Sequence, residues 1–197
     1  MHVALADGFD TGSYQGSGAQ LFCLPAQVGG GTVRDTVTDL TAIGIRGPHA
    51  RRKRVHVENQ MAAFPLTVDT KRVDSLLVPS VSDPAIVPDP ASGVDHYRCV
   101  RVAMSRGGAT FPAGETLQVT DQLGSRTLSV KKPTKLCLAT AEDGAPVKNP
   151  DFHLMCAKVR TGAPRRAKGL QIQTEFGTGV VDLAGETELC VPSAVQP

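Results

Sequence analysis

The sequence predicts an all-β fold of three tandem repeats of short antiparallel strands. Three observations predict it. First, one segment recurs. Residues 117–140 (LQVTDQLGSRTLSVKKPTKLCLAT) have a counterpart in 170–193 and a more divergent one in 55–80. Aligned from their first residues, Val57, Val119 and Ile172 coincide, then Gln60, Gln122 and Glu175, then Met61, Leu123 and Phe176. Internal repetition of this kind sets the whole architecture, so it takes precedence over local propensities. Second, 20 glycines and 14 prolines punctuate a chain rich in Val, Leu and Thr, the composition of short strands joined by tight turns. Third, Leu117 and Val119, then Leu128 and Val130, alternate with polar neighbours at period two, and no stretch sustains a 3.6-residue stripe.

The elements follow in order. Residues 1–19, small and polar with Gly8, Gly12, Gly16 and Gly18, read as an extended arm that orders by docking on a neighbour. Repeat one spans 20–80. It opens with the strand Gln20-Leu21-Phe22-Cys23, breaks at Gly29, Gly30 and Gly31, and regains one or two strands over 32–45. A basic loop (RGPHARRKR) then leads into its hairpin. Residues 81–93, with three prolines, form a linker that is neither central sheet nor helix. Repeat two (94–140) opens with VDHYRCVRVAM. A polar linker (141–151) precedes repeat three (152–197), which opens with FHLMCAKV. Spacings of 62 and 53 residues between equivalent valine and isoleucine positions leave room for about four strands per repeat. Separate small sandwich or sheet modules, divided by the proline-rich linkers, are the favoured architecture. A trefoil-like barrel closed about a pseudo-threefold axis is the alternative.

The five cysteines share the phase of the repeats. Cys23, Cys99 and Cys156 lie on opening strands, and Cys137 and Cys190 on closing ones, where repeat one has Leu77. This is the layout of a disulfide framework and points to an oxidising, extracellular setting. Two connectivities fit. Bridges within repeats join Cys99 to Cys137 and Cys156 to Cys190, and leave Cys23 for an intermolecular bond. Bridges across the linker join Cys137 to Cys156 and Cys190 to Cys23, and leave Cys99. Metal is the rival use, through His96-x-x-Cys99 and His153-x-x-Cys156. On a strand, however, positions i and i+3 face opposite ways, so the two residues of one motif do not converge on an ion. No metal and no cofactor are expected.

The formal charge of +2 gives no general attraction to nucleic acid. Arg51, Arg52, Lys53 and Arg54, echoed by Arg165, Arg166 and Lys168, are candidates for binding an anion, a surface polysaccharide or an acidic partner. They have no interleaved aromatics to stack bases. No apolar run is long enough to span a membrane as a helix, and residues 1–20 lack the basic and apolar regions of a signal peptide. The chain as it stands is therefore expected to be either intracellular or a mature secreted form, and the cysteines favour the latter.

For catalysis, His2, His49, His56, His96 and His153 lack any nucleophile or metalloprotease motif around them. Asp10-Thr11-Gly12 lacks the second acidic tripeptide that a paired-carboxylate mechanism needs. The polar positions Asn59-Gln60, Asp121-Gln122 and Thr174-Glu175 recur at hairpin turns, where such side chains cap backbone groups.

The pattern carried by His96, Cys99, Val102, Asp121, Gln122, Gly124, Leu128, Val130, Pro133, Leu136 and Cys137 resembles an uncharacterised repeat family of secreted bacterial proteins. It returns in His153, Cys156, Val159, Phe176, Gly177 and Cys190. The resemblance is good over 94–193 and loose over 20–80, where Leu77 and Ala62 depart from it. It implies an extracellular disulfide-bearing β module and brings no catalytic residues with it. The expected function is that of a non-enzymatic structural subunit that self-assembles, as a filament or surface layer, through its N-terminal arm and sheet edges. The alternative is an adhesion module for glycans or a cell-surface polymer.

Overall fold

A computed structural model describes residues 1–33, 35–82 and 93–196. The described residues form thirteen strands and no helix, so the protein is all-β. The strands are β1 (His2–Ala6), β2 (Thr11–Cys23), β3 (Gln27–Val28), β4 (Asp39–Arg46), β5 (Val55–Asn59), β6 (Leu66–Val81) and β7 (His96–Met104). They continue with β8 (Thr116–Asp121), β9 (Gly124–Glu142), β10 (His153–Arg160), β11 (Ala167–Thr174), β12 (Gly177–Leu183) and β13 (Glu188–Gln196). None of these contains a segment apolar and helical enough to cross a membrane.

All thirteen belong to one antiparallel sheet. Its pairings close twice. β1, β2, β4, β6, β7 and β9 form one ring, completed where Leu5 and Ala6 of β1 meet Glu142 and Ala141 of β9. β5, β6, β7, β9, β10 and β13 form a second, completed where Val57 of β5 meets Val195 of β13. The long strands β6 and β9 make this double closure possible. Each pairs with different neighbours at its two ends, so one three-stranded sheet (β6, β7, β9) serves both rings. Closure removes most of the exposed backbone edge that an open sheet would leave.

Period-two alternation sorts the side chains. On β7, Val100 and Val102 join the largest core, with Leu66, Val68, Leu136 and Met155. Tyr97 and Cys99 point the other way into a second core with Leu77, Ala139 and Leu154. A third core, Val3, Leu5, Tyr14, Ile43, Ile45 and Leu76, fills the N-terminal ring.

Four cysteines stand in a row on the second core's face, one on each of β7, β9, β10 and β13. Cys99 lies directly opposite Cys137 and is bonded to it, and Cys156 is likewise opposite and bonded to Cys190. The sulfurs of Cys137 and Cys156 approach to 3.9 Å without bonding. Cys23 keeps a free thiol. Residues 20–80 lack a bridge for a topological reason. β4 is interposed between β2 and β6, so Cys23 faces Leu40 while Leu77 faces Ala42. A strand's width separates the two positions that would have to bond.

Several expectations are corrected here. The three segments are not separable modules, because strands of each pair with strands of the others in one sheet. The closure is a pair of rings rather than a trefoil. Residues 1–19 are not a free arm: they supply β1 and most of β2, and β1 is paired on both edges. The 141–151 segment begins inside β9 and is pinned further on, where Asp95 accepts hydrogen bonds from the Lys148 and Asn149 amides at 2.6 and 2.8 Å. The proline-rich 81–93 linker lies mostly outside the described residues. Cys23 is half-buried, and burial pushes its thiol up to about 11.

Candidate functional site

A groove of about 640 Å³ lies on the outside of the N-terminal ring. Ser17 and Gln20 of β2, residues 44–46 of β4, the following loop to Arg51, residues 71–74 of β6 and Arg101 of β7 line it. Gly44 forms its floor. A Cβ there would lie 2.1 Å from the Gln20 amide and 2.7 Å from the Ser17 hydroxyl, which donates to the Gly44 carbonyl at 3.0 Å. Only glycine lets both side chains lie across the strand.

Five cations face this groove: Arg46, Arg51, Lys71, Arg72 and Arg101. Two bulges put them there. The β6–β7 register slips between Thr70 and Val73 and again between Val73 and Ser75, so Lys71 and Arg72, adjacent in sequence, are both exposed. Arg101 is neutralised by Asp74, with Nε to Oδ1 at 2.6 Å, and Asp74 also takes Lys135 at 3.1 Å. Asp74 is consequently held below the usual carboxylate range: burial works against its charge, but Arg101 and Lys135 outweigh it. Among the described residues, Arg46, Arg51, Lys71 and Arg72 have no carboxylate within 4.0 Å. Four uncompensated cations on a chain of net charge +2 make a local positive field, not a general one.

The basic loop divides its labour. Arg51 faces the groove. Arg52 is exposed but tied down, donating to the Phe9 carbonyl at 2.6 Å and stacking 5.7 Å from the Phe9 ring centre, while its amide donates to the Thr70 hydroxyl at 2.7 Å. Arg54, at a positive φ of 57°, is tied by its amide to Asp69 at 3.0 Å. Lys53 is exposed. Of the four residues singled out from sequence, one therefore lines the groove and two are anchors. Lys71 and Arg72 were missed, although two consecutive charges interrupting an alternating strand are the sequence signature of a bulge.

Beneath the groove lies a buried ionic cluster. The Arg98 side chain is fully buried and donates through Nε and Nη2 to Asp7 at 2.5 and 2.9 Å, and through Nη2 to Asp10 at 3.2 Å. Asp10 also meets His49 Nδ1 at 2.9 Å, and His49 Nε2 meets the Thr70 hydroxyl at 2.9 Å. Burial lowers the pKa of His49 more than the Asp10 hydrogen bond raises it, so the ring is neutral and donates to Asp10 through Nδ1. Thr70, His49 and Asp10 stand in the order hydroxyl, imidazole, carboxylate, but the Thr70 hydroxyl is buried and also accepts the Arg52 amide, so it holds the loop in place, while Arg98 Nη1 is buried with no hydrogen-bond partner among the described residues.

The two H-x-x-C histidines have different surroundings. His153 Nδ1 accepts the Ala139 amide at 3.3 Å. His96 Nε2 instead meets Glu142 at 2.9 Å and Glu175 closer still. Burial opposes a charge on His96, but the two glutamates prevail and raise its pKa to about 9. Both cysteines of the motifs are in disulfides. The recurring turn residues are backbone caps: the Asn59, Asp121 and Thr174 side chains accept the amides of Met61, Leu123 and Phe176 at 2.9, 2.8 and 3.1 Å.

Comparison with protein-family models, with curated proteins and with solved structures finds no match to this chain.

Proposed function

We propose that the protein is a non-enzymatic extracellular binding module that holds an anionic polysaccharide in the groove of the N-terminal ring. The observation that carries this reading is the set of unpaired cations Arg46, Arg51, Lys71 and Arg72 around one concavity. Among the described residues no Phe, Tyr or Trp lines the groove to stack on a neutral sugar ring. Recognition rests on carboxylate or sulfate groups of the polymer, and the antiparallel pairing of β2, β4 and β6 behind the groove keeps the cations in place. Binding of this kind weakens as salt screens the charges. The test is retention on an immobilised uronate- or sulfate-bearing polysaccharide across a salt gradient. Native protein should be retained and elute with salt, and Lys71→Glu with Arg72→Glu should abolish retention. Equal retention by the double variant would sink the reading.

A second reading, a self-assembling structural subunit, rests on β12. Only β11 pairs with this strand among the described residues, and its other edge carries neither Lys nor Pro. Val180 on it is 68% exposed and Phe176 at the turn 42%. Such an edge accepts a strand from a second copy. Sedimentation of the native protein should show association that Val180→Lys removes. A monomer at all concentrations would end this version.

A further inference from the structure

We infer that His96, Glu142 and Glu175 form a binding site for a divalent transition-metal ion, of which zinc fits the donors best. The three residues come from distant parts of the chain. His96 opens β7, Glu142 ends β9, and Glu175 occupies the turn between β11 and β12. One ligand atom from each, the imidazole Nε2 and two carboxylate oxygens, lies within 4.8 Å of the other two. Ligands about 2.0–2.2 Å from a zinc ion stand roughly 3.3–3.6 Å apart in a tetrahedron, so small side-chain rotations suffice to receive it.

The site is built by the fold. Glu142 is only 8% exposed, and its backbone is fixed by the pairing with Leu5 of β1 and by the Ala145 amide donating to its carbonyl at 2.8 Å. His96 pairs with Thr140, two residues before Glu142 on the adjoining strand, which sets the imidazole beside that carboxylate. A nitrogen donor with two carboxylates suits zinc and its neighbours in the first transition row. Calcium and magnesium prefer all-oxygen sets. Three protein ligands leave a fourth position for water, as in exchangeable sites and unlike closed four-ligand structural ones. His153, the matching histidine of the other H-x-x-C motif, has no glutamate pair among the described residues and serves as an internal control.

Coordination would have a mechanical consequence. Among the described residues, backbone pairing joins the β11–β12 hairpin to the ring strands where Gln173 and Thr174 meet Val81 and Ser80. Through Glu175, a bound ion ties the hairpin to the ends of β7 and β9 and so holds the exposed β12 edge in one position.

The experiment is zinc titration of chelator-treated, full-length protein by calorimetry, with magnesium as the control ion. Backbone hydrogen exchange over 167–183 is followed with and without zinc. One zinc per chain and slower exchange in the hairpin are expected. Glu175→Gln, in an exposed turn, and His96→Ala should each weaken binding at least about tenfold and remove the protection. His153→Ala should retain both. The assignment is overturned if native protein shows no saturable uptake, if binding survives in both ligand variants, or if His153→Ala is the variant that loses it.

Discussion

The two rings share three strands yet are held together by different means. The C-terminal ring has an interior of aliphatic side chains, and the Cys156–Cys190 bond joins two of its strands. The N-terminal ring has no disulfide between the strands it adds (β1, β2 and β4), and in its interior Arg98 binds Asp7 and Asp10. The Cys99–Cys137 bond between β7 and β9 belongs to both rings, but only the C-terminal ring adds a second covalent bond that restricts the unfolded chain. The other adds to its apolar core ions that are stable only while every partner is present. A disulfide stabilises a fold whatever its interior looks like, whereas a buried cluster is worth little net and becomes costly once broken. The ionic ring is therefore the one more vulnerable to single substitutions, and the covalent ring the one more vulnerable to reductant.

A pair of variants breaks this comparison most sharply. Arg98→Met fills similar space but leaves Asp7, whose side chain is fully buried, and Asp10 without their cation. Loss of one partner from such a cluster costs about 3–5 kcal/mol. Urea unfolding should show that loss, with β1, β2 and β4 the first to gain hydrogen exchange. Removing the other ring's bond by Cys156→Ser with Cys190→Ser, which span 34 residues, should cost about 3–4 kcal/mol and open β10 and β13 first. If both variants loosen the same strands, the shared sheet couples the rings into one cooperative unit and the division of labour is wrong.

The same contrast explains what could be read from the sequence. Strand character was legible because Leu117, Val119, Leu128 and Val130 alternate and face inward where the alternation says they should, apart from the half-buried Leu117. The turn caps at Asn59, Asp121 and Thr174 were legible because each acts on an amide two residues away. Ring closure was not, since the pairing of Leu5 with Glu142 and of Val57 with Val195 leaves no local mark. The glycine-rich N-terminus looked like an arm because its strand residues are mostly polar. Its few apolar side chains, Val3, Leu5 and Tyr14, are buried all the same. The groove and the His96 cluster have the same origin: bulges, interposed strands and long-range pairings gather their members from separate segments.

Asp39, at the start of β4, sharpens the comparison at the smallest expected effect. It is 2% exposed, like the carboxylates bound to Arg98, yet it has no ion-pair partner among the described residues, and its Oδ2 has no hydrogen bond. Burial raises its pKa from 3.8 to about 6, against hydrogen bonds from Ser82 that favour the charge. The sign follows from linkage. A carboxyl whose folded pKa is raised adds stability that is complete below about pH 3.8 and is lost as pH climbs through about 6. Above that, the ionised group costs on the order of 2–3 kcal/mol relative to a neutral one. Asp39→Asn keeps an oxygen for the Ser82 donors and carries no charge. It should match native stability near pH 4 and exceed it increasingly up to pH 7, by thermal or urea melts at each pH. A variant no more stable than native at pH 7 would mean that the charge on Asp39 is compensated after all, and that the N-terminal ring tolerates a lone buried carboxylate as readily as one held by Arg98.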